Sequence, residues 1–340
     1  MAYATINDPS EHFNTVIYTG NGNSSRPVVG TGFQPDWLWI KKRNAGRSHT
    51  LTDSSRGLTK YLEADDTGSE GTFTDKVLSV QSDGFTVGDN SSVNATNDTY
   101  VAWQWKANGG TTSSNTDGNV TVTLQANTTA GFSIGTFTSN GNTSGTIGHG
   151  LGARPDIVIT KERDDTGNWN VIVPDYAGNE MAFLQSNAAF GAASGINTVG
   201  ASTFTDGDGA DSNDRVFFAF RSIQGYSKIG QYIGNGNANG PFAYTGFKPA
   251  WLLIKNASSA GNSWCLLDNK RQGSNPENDF LFTNASDAES VNLSNHGFDF
   301  LSNGFKNRGT GQNDDGDTFI YIAFAESPFV TSNGIPNNAR

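Results

Sequence analysis

Several functional classes require features that this sequence has little of. Only one of its 340 residues is cysteine, Cys265, so the chain can build neither an intrachain disulfide framework nor a zinc cluster from cysteine pairs. No apolar run approaches the roughly 18 residues that a membrane span needs. The opening segment, Met1 to Ser10, lacks the basic and apolar regions of a secretory signal. We therefore expect a protein that is made in the cytoplasm, is not exported through the general secretory route and has no membrane insertion.

Charge is scarce as well. Charged residues make up 16% of the chain, and the net charge is −11. The basic residues are scattered, so no positive stripe is available to neutralise phosphates and release counterions. We expect no binding to nucleic acid.

The residues that are abundant favour strands and turns. The chain has 41 glycines, and Asn, Ser and Thr crowd the intervals between short apolar segments. This pattern is typical of short strands joined by turns rather than of long amphipathic helices. The 35% hydrophobic content is enough for two or three cores of about 100 residues each. The sequence predicts an all-β protein with more than one domain.

A triplicated pattern organises the chain. An Asn-Gly-Asn turn is followed after 14 or 15 residues by a proline, and a lysine closes an apolar run six residues after each proline. The turns begin at Asn21, Asn140 and Asn235, the prolines are Pro35, Pro155 and Pro249, and the lysines are Lys41, Lys161 and Lys255. Asn-Gly supports tight turns, and a proline suits the first position of a strand, where no ladder donor is needed. A nearly continuous apolar run suits a central strand that is covered on both faces.

The remainder of each unit also aligns. A second strand carries an aromatic or imidazole residue together with an aspartate, and a polar turn then precedes a final apolar strand. The pairs are His49 with Asp53, Trp169 with Asp175, and Trp264 with Asp268, and the final strands are Tyr100 to Trp105, Val216 to Phe220 and Phe319 to Phe324. We expect three tandem antiparallel β-sandwiches in a row, each packed around its own core. The expected divisions are sandwiches at 1–107, 119–223 and 224–330, a flexible Gly-, Asn- and Ser-rich linker at 108–118 and a peripheral tail at 331–340.

These units resemble a known family. The quoted segments are Tyr18-Thr19-Gly20-Asn21-Gly22, Gly32-Phe33-Gln34-Pro35-Asp36-Trp37, Ser82-Asp83-Gly84-Phe85, Tyr100-Val101-Ala102-Trp103, Gly225-Tyr226-Ser227-Lys228 and Ala323-Phe324-Ala325-Glu326. They are similar to an uncharacterised repeat family found in tailed phages of marine bacteria, and the likeness covers nearly the whole chain. The resemblance implies a virion structural or tail-fibre-like protein with a jelly-roll or concanavalin-like sandwich. It carries over no catalytic or binding residues.

Aromatic side chains are the first candidates for a ligand site. Trp37 and Trp39 share one face of a strand, as do Trp103 and Trp105, because side chains alternate along a strand. A carbohydrate can stack on such a platform. The same residues lie in the most apolar strands, which favours a packing role.

Acidic turns are the second candidates. Asp206, Asp208 and Asp211 share one Gly-rich loop, and Asp314, Asp315 and Asp317 share another. Carboxylates are ligands that calcium prefers, but the spacing differs from an EF-hand loop. Solvated turn residues are the favoured interpretation.

Enzymatic signatures are few. The histidines, His12, His49, His149 and His296, lack metal-ligand spacing, and the carboxylate pairs Glu63 with Asp65 and Glu162 with Asp164 each occur in one unit only. Cys265 lies in an apolar run, and the glycine-rich stretch 141–152 has no P-loop ending. We name no catalytic, cofactor-binding or metal residue and expect no enzyme and no cofactor.

The sequence thus predicts a structural component of a tailed-phage virion. It would be a tail-fibre-like, knob or capsid-decoration protein that contacts other virion proteins and forms homo-oligomers through its sheet edges. A tail protein that recognises a host surface glycan is the alternative, and a glycan depolymerase is a further one. A position on the capsid or on the tail stays open.

Overall fold

The chain folds almost entirely into strands. The computed structural model describes residues 3–176, 180–192, 198–205, 207 and 211–337. Within these residues there is no α-helix, and the one helical segment is the 3₁₀ turn Pro9–Glu11. Every strand pairing between named strands is antiparallel. The all-β sandwich prediction is confirmed, whereas the finer jelly-roll topology stays a prediction.

The first sandwich covers residues 13–105. Its strands are β1 Phe13–Thr19, β2 Arg26–Val29, β3 Trp37–Lys42, β4 Thr50–Asp53, β5 Lys60–Tyr61, β6 Gly71–Thr72, β7 Val77–Gln81, β8 Gly84–Val87 and β9 Thr99–Trp105. The large sheet has the order β1-β9-β3-β4, and the small sheet has the order β2-β8-β7. Strands β5 and β6 pair with each other.

The second sandwich covers residues 113–220. Its strands are β10 Ser113–Asn115, β11 Val122–Asn127, β12 Phe132–Thr138, β13 Thr146–Gly148, β14 Ile157–Glu162, β15 Trp169–Ile172, β16 Glu180–Phe183, β17 Gly191–Ala192, β18 Thr203–Thr205 and β19 Asp214–Phe220. The large sheet has the order β10-β11-β12-β19-β14-β15-β16-β17, and β13 pairs with β18 in the small sheet.

The third sandwich covers residues 227–328. Its strands are β20 Ser227–Ile233, β21 Phe242–Tyr244, β22 Phe247–Asn256, β23 Cys265–Asp268, β24 Leu281–Phe282, β25 Phe298–Leu301, β26 Gly304–Asn307 and β27 Thr318–Pro328. The large sheet has the order β20-β27-β22-β23-β24, and the small sheet has the order β21-β26-β25. The strand orders β1-β9-β3-β4, β12-β19-β14-β15 and β20-β27-β22-β23 therefore correspond to one another.

Turn residues adopt the conformations that their chemistry favours. The central glycines of the three Asn-Gly-Asn turns, Gly22, Gly141 and Gly236, have φ of 68°, 74° and 62°, a region that glycine enters without steric cost. Two of the repeated prolines lie just ahead of strands β3 and β14. The third, Pro249, lies inside β22 at a register shift, where the missing N–H leaves no gap in the ladder.

Alternate residues of the central strands face two different cores. In the first sandwich, Leu38 and Ile40 face the small sheet and pack against Phe85. Trp37 and Trp39 face the opposite way, into a second apolar cluster. The same division holds in the other two sandwiches, which have small-sheet clusters of their own. An apolar run without polar alternation is explained by burial on both faces.

The second cluster is shared by all three sandwiches. The Trp37 ring lies 4.4 Å from the Phe218 ring, and Trp105 lies 5.7 Å from Phe324, so the inner faces of the three large sheets meet. Each sandwich has a core of its own between its two sheets, as expected, but the expectation that the sandwiches pack separately in a row is wrong, because a further core joins all three. Each large sheet has an apolar inner face that its own small sheet cannot cover, and the other two large sheets bury it.

The segment 108–118, expected to be a flexible linker, is held in place. Strand β10 pairs with β11, and the backbone N–H groups of Ala107 and Gly109 donate to the Asp36 carboxylate at 2.7 and 2.9 Å. The segment is ordered despite its polar composition, because side chains such as Asp36 accept hydrogen bonds from its backbone N–H groups. The domain boundaries stay predictions.

Candidate functional site

The three repeated lysines lie at the contacts between sandwiches. Lys41, Lys161 and Lys255 are fully buried, and each ammonium donates to the carbonyl of the next residue at 2.7 to 3.2 Å. Lys41 also donates to the carbonyls of Ser286 and Asp287 in the third sandwich, at 3.0 and 2.8 Å. Burial lowers the pKa of each lysine to about 8. These side chains are used inside the fold as donors to backbone groups.

A second repeated contact runs around the shared core. Trp169 donates from Nε1 to the Glu63 carbonyl at 2.9 Å, and Trp264 donates to the Phe183 carbonyl at 3.0 Å. At the matching position, His49 Nε2 lies 2.9 Å from the Phe282 carbonyl. Each sandwich thus bonds the next one in a closed cycle. His49 therefore occupies the position at which the other two sandwiches carry a tryptophan.

The protonation of His49 follows from its two partners. Its Nδ1 accepts a hydrogen bond from Trp39 Nε1 at 2.7 Å, so the ring proton is on Nε2, which donates to the neighbouring sandwich. Burial, with the nearby Lys41 charge, lowers the pKa of His49 to about 3. The imidazole is neutral and replaces the indole N–H of the other sandwiches.

Two of the three contacts also contain buried ion pairs. Glu70 of the first sandwich lies between Arg56 at 2.9 Å and Arg163 of the second sandwich at 3.0 Å. Glu289 of the third sandwich lies between Arg271 at 2.5 Å and Arg43 of the first at 2.8 Å. These two Arg–Glu–Arg groups are matched in position.

The third contact is apolar instead. The backbone N–H of Phe190 donates to the Ala257 carbonyl. At the two ionic contacts, the backbone N–H groups of Glu70 and Glu289 donate in the same way to the backbone carbonyls of Arg163 and Arg43. Phe190 packs edge-on against Tyr176 at 5.1 Å, and both residues join the shared core. The same position in the fold therefore holds an ionic group at two of the contacts and an aromatic cluster at the third.

The tryptophan platforms proposed for glycan stacking are inaccessible. Trp37, Trp39, Trp103 and Trp105 are at most 2% exposed and lie in the shared core. Trp103 Nε1 donates to the Asp268 carboxylate of the third sandwich at 2.9 Å. These tryptophans pack in the core, the role that their position in the most apolar strands favoured.

The acidic turns are engaged in local bonds. Asp206 and Asp208 lie outside the described residues. Asp211 pairs with Arg215 at 2.8 Å, and Asn256 donates to the carboxylates of Asp314 and Asp317 at 3.1 and 2.8 Å. Asp315 is exposed. Among the described residues, no three His, Cys, Asp or Glu side chains are grouped so that they could hold a metal ion.

The aspartate of the second unit was aligned wrongly in the sequence. Trp37 pairs with Asp53 and Trp251 pairs with Asp268 across neighbouring strands, but the matching register in the second sandwich leads to Val173. Asp175 lies two residues beyond, is exposed and pairs with Arg154. Because Val173 faces the apolar contact of Tyr176 and Phe190, no buried carboxylate is needed there.

The four carboxylates of the two proposed acid and base pairs all have partners within the fold. Asp65 accepts the backbone N–H of His49 at 2.8 Å, and Glu63 lies 3.7 Å from the Lys76 ammonium. Glu162 accepts from Asn213, while Asp164 accepts the backbone N–H of Asp214. Each carboxylate has an internal partner.

The histidines and the cysteine are also separate from one another. His12 lies beside Asn127, His149 accepts the Leu151 N–H, and His296 lies beside the Ser294 carbonyl. Burial raises the pKa of the Cys265 thiol well above its usual range, so its reactive thiolate form is suppressed.

A groove in the third sandwich was missed by the sequence analysis. It has a volume of about 570 Å³ and lies between the start of β20, the end of β21 and the two end segments of the chain. Its walls include Tyr3, Gln224, Lys228, Tyr244, Thr245 and Phe329. Tyr3 and Tyr244 are 51% and 60% exposed. They are far apart in the sequence, and no local motif brings them together.

Comparison with known proteins agrees with a unit that comprises all three sandwiches. No described helix is long and apolar enough to cross a bilayer. No curated protein matches the chain. A family model described as a domain of unknown function (DUF7483) matches residues 8–328, which includes all three large sheets. The chain therefore belongs to this family, Domain of unknown function (DUF7483).

Proposed function

We propose that the chain is a non-enzymatic structural component of a tailed-phage virion, of the tail-fibre-like, knob or capsid-decoration kind. The shared core is the observation that carries the proposal, because it turns three sandwiches into one block. The repeated lysines, the His49 and tryptophan donors and the Arg–Glu–Arg groups are all used within that block. The family resemblance of the quoted segments supports the same role.

Open sheet edges offer a route to assembly. Strands β1 and β20 are edge strands of their large sheets, and β2 and β21 are edge strands of their small sheets. Ile17 on β1 and Ile233 on β20 are 44% and 54% exposed, so apolar side chains accompany unpaired backbone groups. Pairing or covering such edges in a symmetric homo-oligomer, or against other virion proteins, stabilises a particle.

A cryo-EM reconstruction of the particle tests the proposal. We expect a three-lobed density in many copies on the capsid or tail, with interfaces above about 1,000 Å². Mass spectrometry of purified particles should detect the chain. Its absence from the particles would overturn the proposal.

A receptor-binding role is the second candidate, and the groove favours it. The groove exposes two tyrosine rings in the third sandwich, at a place where a host surface glycan can reach them. A glycan depolymerase has less support. The described residues that line the groove include no Asp or Glu, whereas hydrolysis of a glycosidic bond needs two carboxylates.

A further inference from the structure

We infer that the groove between β20, β21 and the chain ends binds an acidic saccharide. This inference deepens the second candidate function and rests on it. It does not depend on whether the protein has a structural role in a particle.

The residues that line the groove are not repeated at the equivalent positions of the other two sandwiches, whereas the residues that form the turns and buried strands are. In the register of the small sheets, Tyr244 corresponds to Val29 in the first sandwich and Gly148 in the second. Lys228 corresponds to Asn14 and Ser133 in the large sheets. The fold is therefore satisfied without a tyrosine or a lysine at these positions.

Exposed tyrosine rings suit the apolar face of a sugar. Tyr3 and Tyr244 line the groove and are more than half exposed, and neither hydroxyl has a hydrogen-bond partner among the described residues. The Tyr3 ring lies against the backbone at Gly334, where a side chain would approach it within 3.1 Å. An aromatic ring has a negative face that attracts the C–H groups of a sugar ring, and the phenol can bond its hydroxyls.

The charge of the groove selects an anion. Lys228 is exposed, and its ammonium has no ion pair or hydrogen bond within the described part of the chain. No described lining residue is Asp or Glu, although the whole chain has a net charge of −11. An unpaired ammonium in a groove that two aromatic rings also line complements a carboxylated sugar better than a neutral one.

The size and polarity of the groove agree with this ligand. Its volume of about 570 Å³ lies within the range of about 300–1,000 Å³ that small-molecule sites have. Ser222, Gln224 and Thr245 add polar groups to the walls. A short saccharide fits this space.

Calorimetric titration of the full chain tests the inference. The probes are a short oligogalacturonate, a sialylated oligosaccharide and the carboxyl-reduced form of the oligogalacturonate. We expect at least one acidic probe to bind, and the carboxyl-reduced form to bind at least tenfold more weakly. Tyr244→Ala and Lys228→Gln should each weaken acidic binding at least tenfold.

Matched variants separate the groove from the rest of the surface. Val29→Ala changes the position equivalent to Tyr244, and Lys270→Gln changes an exposed lysine outside the groove. Both should keep the affinity, and thermal melting should show all four variants folded. Lack of binding by both acidic probes, equal binding of the reduced probe, or unchanged binding by Tyr244→Ala and Lys228→Gln would each overturn the inference. None of these outcomes bears on the proposed structural role of the chain in a virion, which the detection of the chain in purified particles tests.

Discussion

A buried lysine is used at equivalent positions in each large sheet, although desolvation disfavours its charge. Lys41, Lys161 and Lys255 follow apolar runs, and their pKa values are lowered to about 8 by burial. An ammonium has three donors, so it can satisfy several carbonyls that converge at a sheet contact. A carbonyl left without a donor in such a place costs free energy. The lysine thus stabilises the contact through its hydrogen bonds rather than through an ion pair.

Replacement of Lys41 tests this account. Lys41→Met keeps the apolar stem but leaves the carbonyls of Arg47 and Asp287 without a donor and removes one of the two donors to the Ser286 carbonyl. We expect the free energy of unfolding to fall by about 2–4 kcal/mol. Urea unfolding measures the change. Lys270→Met is the control, because Lys270 is exposed, and its effect should stay within about 0.5 kcal/mol. Equal effects of the two changes would contradict the account.

Glu277 makes the stability dependent on pH. It is buried, and burial together with the nearby Asp268 charge raises its pKa to about 8. The folded state therefore keeps the proton at a pH where the unfolded chain, with a pKa of about 4.3, has lost it. The stability that this residue contributes is full below about pH 4.3 and is lost as the pH rises towards 8.

The variant Glu277→Gln removes that titration. Relative to the wild type, its free energy of unfolding should rise steadily between about pH 4.5 and pH 8 and stay level above that range. Urea unfolding at a series of pH values gives the difference curve. A difference that does not change with pH would show that Glu277 ionises normally.

At the scale of elements, the side-chain donors that cross between strands hold the sandwiches together. Trp264 on the loop before β23 donates to the carbonyl of Phe183, at the end of β16. Trp251 on β22 lies in the same shared core, but its indole N–H has no hydrogen-bond partner. The two tryptophans are a matched pair, because both are buried and only one crosses to another sandwich by a hydrogen bond.

This pair supplies a prediction. Trp264→Phe and Trp251→Phe both reduce side-chain volume, but only the first removes a hydrogen bond, the one from the indole to the Phe183 carbonyl of another sandwich. The loss of unfolding free energy should be greater for Trp264→Phe by about 1–2 kcal/mol. Denaturant unfolding of the two variants provides the comparison. A greater loss for Trp251→Phe would mean that the indole bond contributes little.

The contact between the first and second sandwiches can be rebuilt on the pattern of the apolar one. Glu70→Ala leaves Arg56 and Arg163 buried without their shared carboxylate, and we expect a loss of about 3–5 kcal/mol. The quadruple variant Asp53→Val, Arg56→Tyr, Glu70→Phe, Arg163→Ala copies Val173, Tyr176, Phe190 and Ala257, and it replaces the buried Asp53 that pairs with Arg56 as well. It should be neutral or more stable than the wild type, because both carboxylates and both of their arginine partners are then removed together. The comparison is made by thermal and urea unfolding. If the quadruple variant were less stable than Glu70→Ala, the two contacts would not be interchangeable.

Strand and turn chemistry was readable from the sequence, whereas contacts between sandwiches were not. The apolar run from Trp37 to Ile40 predicts a strand that is buried on both faces, and the structure agrees. Nothing local distinguishes a face that meets its own small sheet from a face that meets another sandwich, so the shared core was missed. The hydrogen bond of His49 depends on Phe282, far away in the sequence. Tyr3 and Tyr244 line the same groove only because the folded chain brings its N-terminal segment to the third sandwich, which no local pattern reveals.

At the scale of the whole molecule, the shared core joins the stability of the three sandwiches. Phe218 of β19 lies 4.4 Å from Trp37 of the first sandwich and 6.4 Å from Trp169 of its own sheet. Trp105 and Phe220 both contact Phe324 of the third sandwich. A cavity at such a place removes contacts from more than one sheet, because close-packed interiors relax only partly.

Hydrogen exchange on Phe218→Ala tests this coupling. The substitution should lower the opening free energy of backbone amides by about 3–5 kcal/mol. In a molecule with one core, the amides of β9, β19 and β27 should all lose protection together, although only β19 carries the change. Leu78→Ala on the exposed strand β7 is the control and should leave the protection of these strands unchanged. Loss of protection confined to the second sandwich would mean that the three sandwiches open independently, and the single block on which the structural proposal rests would be wrong.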